Sequence, residues 1–397
     1  MTEPAAPQEA PASVAPASAT TASVQRVPLP LQPGDPAPDF TAPSTVNPTF
    51  HFNMIGGNRA VLVFMNGAEA PAIRQLLAND LDRFKARRVH VLGVVPGPDA
   101  RLDADQDGSF LPITLFRDAE LDIARRFRML VPAANGQPAR LLNGAYVIDE
   151  SVRIVGFVPF QPLPRFLHRV HSLLDLIPAR DPAGLVARQA PVLVVPNILS
   201  RDFCRRLIDY YERQGGTESG FMREIDGRTV GIMDNKFKRR RDCMIEDTAL
   251  RAEVRDAINR RLCPLIYRAF NFNATRLERY LVACYDEKSG GFFRAHRDNT
   301  TRGTAHRRFA VTINLNAEDY EGGNLRFPEF VDHQYRAPTG GAVVFGCSML
   351  HEAMPVTRGT RYALLPFLFD EAAEDLRQTN LEFLDNERVI DLNAPTA

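Results

Sequence analysis

Residues 178–190 read PARDPAGLVARQA, a stretch punctuated by Pro and Gly with neither helical nor strand periodicity. The hydrophobic pattern changes in kind across it, so the chain is expected to build two cores joined by a linker at 179–190. On the N-terminal side, apolar runs at 60–64 (AVLVF) and 89–95 (VHVLGVV) read as buried strands. Between them, Ile73, Leu76, Leu77, Leu81 and Phe84 recur at helical spacing over 69–87. A helix over 121–127, a hairpin over 144–149 and 153–158, and a helix over 166–176 complete an α/β sandwich, domain 30–178. On the C-terminal side, 202–213 is expected to be a helix with Ser200 as its N-cap and Gly215-Gly216 as its stop. A second helix is expected over 248–270. Short apolar runs then follow at 277–285, 309–315, 324–327, 342–345 and 362–369, several of them separated by glycine turns. Helices followed by many short strands predict a jelly-roll barrel with buttressing helices, domain 191–372.

Two segments fall outside these cores. Residues 1–29 are rich in Ala, Pro, Ser and Thr and are expected to be a disordered tail, because they offer too little apolar surface to offset the entropy of ordering. Residues 373–397 are charged and are expected to be a peripheral extension. Lys+Arg and Asp+Glu both number 48, a formal net charge of +0, which removes the electrostatic argument for nucleic acid or an anionic membrane as a partner. No apolar run reaches the length of a spanning helix, and no basic region followed by an apolar stretch opens the chain, so a cytoplasmic address is expected. The five cysteines, Cys204, Cys243, Cys263, Cys284 and Cys347, form no CxxC pair and are expected to be free thiols in a reducing compartment.

The chemistry concentrates in the second half. In His296-Arg297-Asp298, residues i and i+2 of an extended segment face the same way, so an imidazole and a carboxylate can share one metal ion. His351, at the end of GGAVVFGCSML, supplies a third ligand if its strand returns beside the first. Two His and one carboxylate on one face leave open positions, the arrangement of non-haem Fe(II) oxygenases. An HxD also arises by chance, and His296 by itself reads more readily as a hydrogen-bonded surface or core histidine, a reading that the wider pattern reverses. Arg361 stands ten residues after His351 at the start of an apolar run. An inward-facing guanidinium there needs an anion, which a dicarboxylate cosubstrate provides. The alternative is a salt bridge at the strand mouth. Arg358, in the turn before Gly359, faces solvent in this reading. Five positive charges in the six residues 236–241 could guide an acidic partner, but a solvated face offset by nearby acids is the favoured reading.

The strings CYDEKSGGFFRAHRDN, FAVTINLN, EGGNLRFPE and HEAMPVTRGTRYAL together resemble the 2-oxoglutarate/Fe(II)-dependent dioxygenases of the prolyl-4-hydroxylase type, over about residues 190–370. The resemblance implies that His296, Asp298 and His351 bind Fe(II) and are the catalytic centre. It also implies that Arg361 holds the far carboxylate of 2-oxoglutarate and that Tyr285 helps to hold it, although Tyr285 also reads as an aromatic at a strand end. Asn314 and, more weakly, Thr312 are implied as further cosubstrate contacts on the strand FAVTINLN. The implied reaction consumes O2 and 2-oxoglutarate, releases succinate and CO2, and hydroxylates a C–H bond of a prolyl or other amino-acid or peptide side chain. Ascorbate is the implied reductant.

In the first half, PGDPAPDF, VLVF and LPITLFRDAELDIARRFRM resemble the peroxiredoxin branch of the thioredoxin fold. The segment after the VLVF strand reads NGAEAPAIRQ and has no Cys where that family carries its peroxide-reactive thiol. Without a thiolate there is no thiol peroxidase. The domain is therefore expected to be non-catalytic and to serve packing, substrate presentation or homodimer formation. The alternative for the whole chain is an inactive barrel and a thioredoxin-like module acting as a scaffold.

Overall fold

The computed structural model describes residues 29–97, 113–131, 133 and 139–393, so the expected tail lies outside the described residues except for Leu29. The N-terminal part is a five-stranded sheet of β1 (Arg59–Phe64), β2 (Val89–Pro96), β3 (Thr114–Asp118), β4 (Gly144–Ile148) and β5 (Ile154–Pro159), in the order β3-β2-β1-β4-β5. β1, β2 and β3 run parallel, and β4 and β5 are antiparallel additions. This is a thioredoxin-like sheet, and its two faces carry separate cores. One is built around Phe52, Phe116 and Phe127, the other around Ile73, Phe84 and Phe166. The helix expected over 69–87 divides into α1 (Ala70–Asn79) and α2 (Leu81–Ala86) at Asp80, whose carboxylate lies 2.6 Å from Nε2 of the buried His171. The expected 166–176 helix is α3 (Phe166–Asp175).

The linker residues 178–189 are exposed and lie in no helix or strand. Beyond them, α4 (Arg201–Gln214) starts where expected, with Ser200 Oγ accepting from Phe203 N–H at 3.2 Å, a cap that contributes about 1 kcal/mol. The helix expected over 248–270 is two helices, α5 (Thr248–Arg261) and α6 (Cys263–Phe270). Pro264 cannot donate within a continuous helix, so it sits in the first turn of a new one.

Two sheets form the jelly roll. The larger orders β6 (Leu193–Val195), β7 (Ala342–Gly346), β8 (Phe309–Asn314), β9 (Val356–Leu364), β10 (Leu281–Asp286) and β11 (Arg241–Met244) as β6-β7-β8-β9-β10-β11. The smaller orders β12 (Lys238–Arg239), β13 (Phe292–His296), β14 (His351–Ala353) and β15 (Leu325–Phe327) as β12-β13-β14-β15. α4, α5 and α6 pack on the outer face of the larger sheet through Leu207, Val254 and Ile258. The inner faces enclose Tyr285, Phe293, Phe327 and Phe345. The single run expected over 362–369 is broken at Leu365-Pro366, because β9 ends at Leu364 and a new strand starts at Phe367. The run expected over 277–285 is likewise broken, at Arg279, which has φ +71°.

The C-terminal segment departs from its expected peripheral role. Residues Leu384–Asp391 form a strand that pairs in parallel with Arg228–Met233, itself hairpinned to Phe221–Ile225. This three-stranded sheet roofs the mouth of the barrel. Its charge content (Asp385, Glu387, Arg388) masks the strand in the sequence.

The two domains meet through a buried polar joint. Arg153 donates to the carbonyls of Gly34, Pro196 and Asn197 at 2.7–3.1 Å. Asp35, 1% exposed, accepts from Arg261 at 2.9 Å and lies 3.0 Å from Arg260.

Candidate functional site

β13 ends at His296 and β14 begins at His351, and the antiparallel register sets these two residues directly opposite each other. Asp298 follows in the turn, where its backbone N–H donates to Cys347 O at 2.9 Å. Three ligand atoms, one from each residue, all lie within 4.8 Å of one another. Nε2 of His296 is 3.5 Å from one Asp298 oxygen, and Nε2 of His351 is 3.4 Å from the other. Each imidazole directs Nδ1 at a backbone carbonyl, Arg294 O at 2.7 Å and Met349 O at 3.0 Å. A carbonyl can only accept, so Nδ1 carries the proton and the Nε2 lone pairs face the common centre. The Phe293 ring stacks on His296 with centroids 3.5 Å apart, and Phe345 lies 4.5 Å from His351.

The electrostatics match a ligand set. Burial pushes His351 down to about 4, which keeps the imidazole neutral at neutral pH. Burial acts to raise the Asp298 carboxyl, but His351, His296 and Arg307 outweigh it and hold Asp298 well below the usual range. Two imidazoles and one carboxylate form a donor set for a divalent first-row ion.

Arg361 sits across the cavity, on the larger sheet, paired in register with Tyr285. It is 2% exposed, and its guanidinium lies 4.9 Å over the Tyr285 ring. Its Nε and Nη1 have no hydrogen-bond partner. A buried guanidinium with two unmet donors is complementary to a carboxylate of a bound ligand, which fits the dicarboxylate expectation rather than a salt bridge at the mouth. Arg358 instead pairs with Glu321 at the surface, at 2.7 Å. Two glycines make room for this corner. Gly323 has φ +62°, and a Cβ there would lie 3.0 Å from Arg361 Cδ. A Cβ on Gly291 would lie 2.8 Å from Tyr285 Cα.

His296, Asp298, His351, Arg361, Tyr285 and Thr312 all line one cavity of about 1070 Å³. Asn314 does not. It shares a strand face with Thr312, but it is buried at the end of β8 and its amide donates to Ala337 O at 2.7 Å, which makes it a structural residue.

The structure divides the basic run, which departs from the solvated face expected for it. Lys236, Arg239 and Arg241 are exposed, whereas Lys238 and Arg240 are buried and line the cavity. Extended backbone turns alternate residues to opposite faces, so a KxR spacing in an extended segment was the available signal. Arg279, Glu278 and Arg307 also line the cavity and were not anticipated. Leu381, Leu384 and Val389 of the C-terminal segment close it from above.

Thiol chemistry finds no support. All five cysteines are free, and burial pushes Cys204 up to about 12 and Cys263 up to about 11. In the N-terminal domain, the turn after β1 holds Asn66 and Gly67.

Comparison with known proteins agrees with both halves. The profile of the 2OG-Fe(II) oxygenase superfamily matches residues 280–369, and that of the AhpC/TSA family matches residues 33–156. A PKHD-type hydroxylase of Pseudomonas paraeruginosa (strain DSM 24068 / PA7) is 32% identical over 173 residues, 40% of this chain and 74% of the relative. Another, from Stenotrophomonas maltophilia (strain R551-3), is 28% identical over 203 residues, 49% of this chain and 85% of the relative. Among solved structures, a Pseudomonas putida prolyl-4-hydroxylase aligns with TM-score 0.34 and 20% identity, covering 46% of this chain and 94% of that one. The peroxidoxin BcpB from Mycobacterium tuberculosis aligns with TM-score 0.32 and 16% identity, covering 38% of this chain and 99% of that one.

Proposed function

Since the chain belongs, through its C-terminal half, to the 2OG-Fe(II) oxygenase superfamily, we propose that it hydroxylates a C–H bond of a prolyl or other amino-acid or peptide side chain, releasing succinate and CO2. The observation that carries this reading is the placement of three metal-ligand side chains and an unpaired buried guanidinium on opposite walls of one cavity.

Fe(II) held by His296, Asp298 and His351 would supply O2 activation coupled to decarboxylation of 2-oxoglutarate. The protein's own residues do the rest. The backbone carbonyls of Arg294 and Met349 fix the imidazole tautomers, so both Nε2 atoms are available without a proton having to leave. Arg361 binds and orients the far carboxylate of the keto acid by a two-pronged hydrogen bond, and Tyr285 carries the guanidinium on its ring face. Phe293, Phe345 and Leu325 exclude water from the reacting end of the cavity. The roof strands around Met222, Ile232 and Val389 cover its mouth. Ascorbate serves as the external reductant, and a reducing cytoplasm suits five unpaired thiols. The thioredoxin-like domain acts as a docking platform, joined to the barrel through Asp35 and Arg153.

The test is succinate release from 2-oxoglutarate, with Fe(II), ascorbate and a peptide extract, together with mass spectrometry for products that have gained one oxygen atom. Wild-type protein should exceed His296→Ala by at least tenfold. Equal succinate from both proteins would remove the proposal.

A further inference from the structure

The cavity holds more positive charge than the proposed cosubstrate can use. Lys238, Arg240, Arg279, Arg307 and Arg361 line it, as do the exposed Arg223 and two arginines that pair elsewhere, Arg297 with Glu329 and Arg377 with Glu374. Arg307 is paired with Glu278 at 2.7 Å. Arg240 and Arg279 share Asp242, at 2.6 and 3.6 Å. Arg361 is assigned to the keto acid. Lys238 remains. It is 4% exposed, and among the described residues no carboxylate lies within 4.0 Å of its Nζ. One of its three N–H bonds is used, by Gly220 O at 2.5 Å. Among the described residues no other oxygen or nitrogen accepts from it, and the Phe293 ring is its one further contact of polar character.

The position of this amine is as informative as its isolation. Lys238 is paired in register with Phe293, and its Nζ lies 4.9 Å from that ring. The same ring stacks on His296. One aromatic side chain therefore contacts both this amine and the His296 imidazole, on the wall of the same cavity. Burial, with Arg240 adding to it, pushes the Lys238 amine well below its ordinary value, so the ammonium form is costly until an anion arrives.

We infer that the substrate is an anion, and that Lys238 receives a carboxylate of that substrate and thereby sets which C–H bond lies next to the metal centre. This rests on the hydroxylase reading above and adds the substrate class to it. Two sources could present such a carboxylate: the terminal carboxyl of an amino acid, or the side chain of an acidic residue flanking the target in a peptide. Lys238 is a positioning and specificity residue in either case.

The test uses the full chain loaded with Mn(II) and 2-oxoglutarate, and calorimetric titration with two matched pairs. N-acetyl-proline against N-acetyl-prolinamide probes the terminal carboxyl. Acetyl-Pro-Asp-amide against acetyl-Pro-Asn-amide probes the side chain. Wild-type protein should bind the charged member of at least one pair at least tenfold more tightly than its neutral isostere, and the pair that discriminates identifies the source. Lys238→Met should abolish the preference, and Lys238→Arg should keep it. Absence of any preference in the wild type, absence of binding by both pairs, or a preference that survives in Lys238→Met would overturn the inference. The wild-type comparison stands even if a variant fails to fold. The underlying hydroxylase reading fails separately, when wild-type protein does not bind 2-oxoglutarate at all.

Discussion

Replacing Arg361 with methionine should make the ligand-free protein more stable while removing its response to 2-oxoglutarate. The guanidinium is buried at 2% exposure with Nε and Nη1 unmet. Each unmet buried donor costs about 1–3 kcal/mol. Against this, the variant forfeits the contact with the Tyr285 ring at 4.9 Å, worth about 1–2 kcal/mol. Methionine fills the same slot with an adaptable apolar chain. For two unmet donors the net expectation is a gain of about 0–5 kcal/mol, centred on about 2–3 kcal/mol, which in a domain of this size raises Tm by several degrees. Wild type loaded with 2-oxoglutarate at a hundredfold excess over Kd should gain about 2.7 kcal/mol by mass action, and the variant should gain nothing. Thermal melts of both proteins, with Mn(II) present and 2-oxoglutarate present or absent, check both parts. A variant that is less stable than wild type without ligand, or one that still shifts with 2-oxoglutarate, would refute the reasoning that this cation is held for an anion.

Acid should loosen the barrel through Asp242. Burial acts to raise this carboxyl, but Arg240 and Lys238 prevail and bring it from 3.8 to about 2. A depressed carboxylate contributes stability that is fully present above its unfolded value and is lost as pH falls through its folded value. About 2 kcal/mol should therefore disappear between about pH 4 and pH 2. Urea midpoints across that range should fall less steeply in Asp242→Asn, which starts from a lower plateau because Arg240 loses its partner. Gly323→Ala should cost about 1–2 kcal/mol for a non-glycine residue at φ +62°. It should also weaken 2-oxoglutarate binding, because the new methyl presses on the Arg361 stem. Paired melts and calorimetry would show the two effects together.

The clustering of His296, Asp298 and His351 and the inward placement of Arg361 were legible because their signals are local. HxD was read as the two-residue period of an extended chain, and although the strand ends at His296 and a turn carries Asp298, the short spacing still keeps the two side chains together; a cation at the start of an apolar run demands an anion. Lys238 and Arg240 carried the same two-residue period, but a run of five charges in six residues resembles solvated surface more than a cavity wall. Asn314 shows the converse. Its strand face was readable, yet its neighbour was not, because only the folded chain brings Ala337 O to its amide.

The amino-acid sequence by itself determined two domains of different architecture, the lack of a thiol where the first would need one, and the residue types able to hold a metal and a dicarboxylate. Periodicity and composition are properties of neighbours along the chain, so they survive reading in one dimension. The tertiary structure alone decided that Arg261 locks onto Asp35 more than two hundred residues away, that the charged C-terminal segment becomes a roof, and that Lys238 is buried inside the barrel with no carboxylate partner among the described residues. Those outcomes depend on which distant groups reach one another once both sheets close, and burial without a partner has no local signature.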